Sequence, residues 1–170
     1  MTRILLICLV LAMSVSCATD NAPVPEDIAT KPIFKSIDLS SGGLPLIAEI
    51  PDESKTKFKP KWNETFGRME VTNDLGIEIF ITQDTKTCAE KKQEIESGVF
   101  EIVYAVESDS LLSYKAQLPE GNSEYWHVYA SYNLGGVTYS FENNPLIEYN
   151  KSQAAFMVDF IGYVKPKKGD

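Results

Sequence analysis

The sequence has little cysteine and almost no histidine, with three Cys and one His among 170 residues. A zinc site needs Cys, His or carboxylate ligands at short characteristic spacings, and no such spacing occurs. The sequence also has no Gly-rich phosphate loop and no nucleophile-elbow motif. It therefore predicts no metal site, no cofactor and no catalytic residue. A hydrolase that uses a pair of carboxylates stays open, because such a pair is recognised only by its geometry.

Basic residues are also scarce. Sixteen Lys and Arg stand against 24 Asp and Glu, which gives a formal charge of −8. Phosphate backbones require a basic surface, so the composition argues against a nucleic-acid partner. The hydrophobic fraction of 44% is that of a globular protein. The length suits one domain and a tail.

No apolar run is long enough to cross a bilayer as a helix. The longest, Ile4 to Met13, is about half of the roughly 20 residues that a span needs. Arg3 precedes this run and small residues follow it, which is the organisation of a secretory signal peptide. Residues 1–16 are therefore predicted to be a signal peptide. A buried helix is disfavoured because the stretch that follows is polar and contains proline.

Four residues at the end of this segment, Ser14-Val15-Ser16-Cys17, resemble the lipobox of bacterial lipoproteins. The resemblance implies that Cys17 is acylated and becomes the N-terminus of a membrane-anchored envelope protein. Several acyl chains together give stable anchoring. Ala18 follows the cysteine, where a signal for inner-membrane retention would have Asp, so the outer membrane is favoured over the inner. Ordinary cleavage nearby, with Cys17 unmodified, is the alternative.

The rest of the chain divides by composition. Residues 17–43 are rich in Pro, Ser and Gly and are predicted to be the lipidated N-terminus and a flexible linker. Residues 44–164 are predicted to be a single α+β domain, and residues 165–170 a basic tail. Cys88 is the single thiol of that domain, so no internal disulfide is expected.

Seven segments have the alternating apolar pattern of β-strands. Asn73-Asp74 and Gly135-Gly136 separate two pairs of them and predict hairpin turns. The seven predicted strands are 44–50, 66–72, 75–82, 99–106, 111–118, 125–132 and 137–141.

Two helices are predicted among these strands. Thr87 and Glu90 have the spacing of a capping box, and Gly98 is expected to end the first helix in a left-handed conformation. That helix carries few apolar residues and should lie lightly on the sheet. Asn150 or Ser152 is expected to cap the second, through residues 154–161, whose wide apolar stripe predicts deep burial. The predicted fold is α+β, with a largely antiparallel seven-stranded sheet covered by two helices.

This order of elements is similar to that of Mog1/PsbP-like domains found in small bacterial lipoproteins. The resemblance is carried by the opening segment Leu46–Pro51, the helix after Ile81 and the strand Tyr139–Glu142. It implies an α+β sandwich over residues 44–163 that serves as a scaffold or binding partner.

The aromatic residues supply the candidate binding site. By strand alternation, Tyr125, His127 and Tyr129 share one face of a predicted strand, and Trp126 lies on the other. Trp62 is a second candidate, because it is predicted to lie on a loop with three lysines that could receive an acidic partner. The favoured alternative is that these residues serve core packing and cross-strand contacts.

The functional hypothesis is a non-enzymatic, lipid-anchored envelope protein that binds a protein or another envelope component. The alternative is a carrier of a small ligand, held in a pocket between sheet and helix with Tyr125, His127 and Tyr129 near its mouth. A pocket of several hundred cubic ångströms with convergent polar groups favours the carrier or an enzyme, and a flat sheet face with exposed aromatics favours the partner-binding protein.

Overall fold

A computed structural model describes residues 33–119 and 123–168. The predicted signal peptide, Cys17 and residues 18–32 of the predicted linker lie outside these ranges. Among the described residues, no helix is both long and apolar enough to cross a membrane.

The described chain forms two antiparallel sheets and two helices. The helices are α1, Cys88–Glu96, and α2, Lys151–Gly162. The strands in chain order are β1 Phe34–Asp38, β2 Leu46–Pro51, β3 Phe58–Asn63, β4 Arg68–Asn73, β5 Glu78–Gln83, β6 Glu101–Glu107, β7 Leu111–Gln117, β8 Glu124–Leu134, β9 Val137–Asn143 and β10 Val164–Pro166. Seven strands form one sheet in the order β3-β4-β5-β9-β8-β7-β6, and β1-β2-β10 form the other. The predicted α+β class, with a seven-stranded antiparallel sheet and two helices, is confirmed.

Local sequence accounts for the hairpins. Gly135 and Gly136 connect β8 to β9, and both have positive φ, at 66° and 87°. Glycine has no Cβ and adopts this conformation at little cost, so the two-residue turn forms readily. In the β4–β5 turn, the Asn73 side chain accepts hydrogen bonds from the amides of Leu75 and Ile77. Both predicted hairpins are confirmed.

Both helices begin at capping boxes. The Thr87 hydroxyl accepts from the Glu90 amide, and the Glu90 carboxylate accepts from the Thr87 amide. Asn150 and Gln153 make the same reciprocal pair at the start of α2. The expectation for Gly98 is wrong: Ser97 is the C-cap of α1, and Gly98 does not adopt a positive φ.

The seven-stranded sheet is covered on both faces. Successive side chains of a strand point to opposite faces, so Val128 and Ala130 of β8 belong to a different buried cluster from Tyr129. The larger cluster joins one face to α2 and the three-stranded sheet. The smaller cluster joins the other face to α1, of which only Cys88 is fully buried. The predicted light contact of the first helix is confirmed.

Strand membership and the ends of the folded domain differ from the expectation. The predicted strand 44–50 corresponds to β2, which belongs to the smaller sheet. Its place in the large sheet is taken by β3, in the segment where a loop was expected around Trp62. The domain also starts before residue 44, because β1 pairs with β2. At the other end, β10 runs to Pro166 and pairs with β2, so residues 165 and 166 of the expected basic tail belong to the smaller sheet.

Candidate functional site

A groove of about 490 Å³ lies between α1, the β6–β8 part of the large sheet and the loop that follows β9. Its floor is formed by Ile102, Tyr114, Ala116, Tyr125 and His127. The lining from α1 and the two adjoining loops is Lys91, Glu94, Ile95, Phe100, Pro145, Leu146, Ile147 and Glu148, with Glu142 at the end of β9.

The ring of His127 is oriented by Asn143. The backbone amide of Val128 donates to Asn143 Oδ1 at 2.7 Å, which identifies the side-chain oxygen of this buried amide. Asn143 Nδ2 then lies 3.2 Å from His127 Nδ1, and it also donates to the Asn144 carbonyl. Because Nδ2 can only donate, Nδ1 must accept, and the proton of the neutral imidazole lies on Nε2. His127 therefore enters the groove as a hydrogen-bond donor.

Burial lowers the pKa of His127, since the imidazolium loses hydration there. The carboxylate of Glu142 opposes this shift, and the nearby ammonium of Lys91 adds to it. The neutral form, which the Asn143 contact requires, is therefore the one that the fold stabilises at neutral pH.

This shift predicts a loss of stability in mild acid. As pH falls below the ordinary value of 6.5, the unfolded chain takes up the His127 proton before the folded chain does. The free energy of unfolding should therefore fall with decreasing pH, by at most about 1.4 kcal/mol per pH unit. Denaturant titrations between about pH 7.5 and pH 5 measure this slope, in a range where histidine is the residue that titrates. His127→Gln should flatten the slope, because the chain has one histidine. An unchanged slope in that variant would contradict the assignment.

Tyr114 lies beside His127, with ring centroids 5.3 Å apart. Its side chain is only 8% exposed, and its hydroxyl has no hydrogen-bond partner among the described residues. Burial raises the pKa of Tyr114, so the hydroxyl stays protonated and able to donate. A hydroxyl left without a partner at the floor of a groove is costly unless water or a ligand reaches it.

Lys91 is the one cation among the described lining residues of the groove, and it is already paired. Lys91 donates to Glu142 at 2.7 Å, its side chain is 11% exposed, and its ammonium lies 5.3 Å from the centre of the Tyr129 ring. Within the described residues, the other charged side chains of the lining are Glu94 and Glu148, both acidic. Among the residues that the structure describes, the groove therefore offers no positive charge free to receive an anion.

The edges of the groove are apolar and exposed. Leu146 is 90% exposed, and Phe100 and Ile147 are also exposed. Phe100 follows α1, whereas Leu146 and Ile147 follow β9, so the two edges come from separate loops. Apolar side chains that rim a concave site are typical of binding surfaces.

Two other depressions are less suited to a ligand. One of about 160 Å³ lies beside α2 and is lined by stacked rings, Phe58 against Phe156 and Phe160. It is smaller than the roughly 300 Å³ at which small-molecule sites begin. Another, of about 600 Å³, lies at the start of α1. There, Lys92 is already paired with Glu107.

The four binding residues predicted from the sequence do not lie together in the structure. Tyr125 and His127 line the groove together, on the face of β8 that alternation predicts. Tyr129 lies outside its lining and is buried under α1, where its hydroxyl donates to the Lys86 carbonyl at 2.9 Å. Trp62 packs against the larger cluster on the opposite face of the sheet.

The position of Trp62 is fixed by a glycine. A Cβ added at Gly42, which has a φ of 69°, would lie 1.9 Å from Trp62 Cδ2. The indole therefore covers the backbone of a short 3-10 turn, Ser41–Gly43. Trp62 is thus a packing residue of the domain, remote from the groove.

Sequence reasoning missed Tyr114, Lys91 and Glu142, since their roles depend on which strands pair.

Among the described residues, no group of three His, Cys, Asp or Glu side chains is placed to hold a metal ion. Cys88 is buried, and burial raises the pKa of its thiol, which disfavours the reactive thiolate.

No protein-family model matches the chain, and neither a curated protein nor a solved structure is detectably similar to it. The resemblances to bacterial lipoproteins and to Mog1/PsbP-like domains stay predictions.

Proposed function

We propose that the chain is an exported, lipid-anchored envelope protein whose folded domain binds a small apolar ligand without catalysing a reaction. The groove beside α1 supports this proposal. Its volume of about 490 Å³ is that of a site for a small organic molecule. Its edges are apolar, and its floor combines apolar side chains with the polar groups of Tyr114, Tyr125 and His127.

The shape of the Tyr125–His127 surface favours a ligand over a flat protein interface. Both side chains lie in a concavity walled by Ile95 on one side and Pro145 on the other. A flat aromatic face would have favoured a protein partner instead. The concave shape therefore favours the carrier over the partner-binding protein.

Anchoring through Cys17 is consistent with such a role. An apolar molecule in the envelope partitions into membranes, and a domain tethered there has a high effective concentration close to it. We propose that the tether brings the groove to the surface where its ligand is released or taken up.

Blocking the groove provides the test. Ala116 lies in the floor and is nearly buried, so Ala116→Trp should occupy the space that the ligand needs. The probe is Nile red, an uncharged dye that fluoresces when it enters an apolar site. The experiment uses the chain from residue 17 onward with Cys17→Ser. Without an acyl group, this protein needs no detergent. It contains both buried clusters of the domain. Binding should weaken at least about 30-fold, because most of the apolar contact is lost.

Ala105→Trp is the matched control. Ala105 lies on β6 and is exposed, outside the lining of the groove. This variant should bind Nile red as the parent chain does. Equal binding by both variants, or no binding by the parent, would contradict the proposed site.

A protein partner is the second candidate, and one observation favours it. β6 is an edge strand of the large sheet, and its neighbourhood exposes Val99, Val103 and Val106. Unpaired backbone groups next to exposed apolar side chains can accept a strand from another chain. If the parent chain does not bind Nile red, the protein-partner hypothesis is favoured over the small-ligand carrier.

A further inference from the structure

The groove leaves two directed hydrogen-bond donors at its floor. His127 accepts from Asn143 through Nδ1, so its remaining polar atom is the protonated Nε2. The hydroxyl of Tyr114, on the neighbouring strand, is the second donor. His127 and Tyr114 are directly paired in the register of β7 and β8. Neither Nε2 nor the hydroxyl has a partner among the described residues.

From these donors we infer the chemistry of the ligand: an apolar body that carries an uncharged hydrogen-bond acceptor, such as a ketone or ester oxygen. The acceptor lies at His127 Nε2 and the Tyr114 hydroxyl, and the apolar body lies between Ile95, Phe100 and Leu146. This inference rests on the proposed function, since it concerns the same groove.

The donors discriminate against a ligand without an acceptor. A hydrocarbon that enters the groove displaces water from both donors and offers no hydrogen bond in return. Buried donors without a partner weaken binding, whereas a carbonyl oxygen restores the hydrogen bonds that the water made.

The charges discriminate against a carboxylate. An anion could use the same donors, but Lys91 is already paired with Glu142 and Glu94, and Glu148 adds negative charge to the lining. A bound carboxylate would therefore share the groove with Glu148 and find no free cation among the described lining residues, which disfavours its binding. A cation is disfavoured at the floor for a different reason. The N–H groups of an ammonium are donors, and they would meet two other donors there, the N–H of His127 and the O–H of Tyr114.

Four compounds with the same ring system separate these possibilities: naphthalene, 2-acetylnaphthalene, 2-naphthoate and 2-naphthylmethylammonium. Calorimetry or displacement of Nile red gives the dissociation constants, with the unacylated chain from residue 17. The ketone should bind about 10-fold more tightly than naphthalene, as expected for a satisfied hydrogen bond. It should also bind at least about 10-fold more tightly than either charged compound.

Two variants assign the preference to its donors. His127→Phe keeps a ring of similar shape and removes Nε2–H, and Tyr114→Phe removes only the hydroxyl. Each should narrow the difference between the two compounds: 2-acetylnaphthalene should bind more weakly, and naphthalene should bind equally or more tightly because it no longer leaves that donor without a partner. Because naphthalene binding reports that each variant keeps the groove, a folding defect is distinguished from a lost donor.

The outcomes separate the inference from the function on which it rests. Naphthalene binding that equals ketone binding, or tighter binding of a charged compound, overturns the inference and leaves an apolar groove intact. A ketone preference that survives in both variants also overturns it. If none of the four compounds binds, the proposed function fails as well.

Discussion

Replacing Phe141 by alanine should lower the free energy of unfolding by about 3–5 kcal/mol. Phe141 is fully buried at the centre of the large sheet, on β9, and belongs to the larger buried cluster. Its ring also packs against Tyr132, with centroids 6.1 Å apart. Neighbouring strands hydrogen-bond to β9 on both sides, so the cavity left by the ring cannot collapse easily.

Leu146→Ala is the control for this experiment. Leu146 is 90% exposed, so its truncation should change the free energy of unfolding by less than about 0.5 kcal/mol. Denaturant titrations of both variants give the comparison. Similar losses in the two variants would contradict the placement of the core.

Cys17→Ser should abolish acylation of the chain. If Cys17 is the acylated residue, labelled palmitate will be incorporated by the parent chain in a bacterial host and will not be incorporated by the variant. The variant should also leave the membrane fraction, because the remaining apolar segment is too short for a stable span.

Cys88→Ser is the matched control, since it removes the buried thiol of the folded domain and keeps Cys17. It should incorporate palmitate as the parent does. Equal labelling of all three proteins, or none in the parent, would refute the lipoprotein prediction.

The sequence could predict those elements whose signals are local. Capping boxes join residues three apart, as in Thr87 with Glu90, and the hairpin glycines act on their own turn. The alternation of apolar and polar residues likewise determined the face on which His127 lies. These features need no knowledge of the partner strand.

The missed strand β3 shows where local signals mislead. Phe58, Pro60 and Trp62 alternate with lysines, which is a two-residue period, but proline and lysine are typical of loops. β3 is an edge strand. Edge strands tolerate both residue types, because one side of the strand has no partner.

The groove could not be predicted because its parts are distant in the chain. Lys91, Tyr114 and Glu142 come together only through the strand order β9-β8-β7 and the position of α1 over it. Nothing in the sequence near Tyr114 indicates that His127 is its cross-strand neighbour. The loop residue Leu146 becomes part of the site for the same reason.

The central claim is that the groove beside α1 binds an apolar ligand, and a chemical-shift map tests it most directly. Titrating 2-acetylnaphthalene into the ¹⁵N-labelled chain should shift the amides of Tyr114, Ala116 and His127. The amides of Trp62 and Phe156, on the other face of the sheet, should stay unchanged. Shifts confined to that other face, or no shifts at all, would contradict the account.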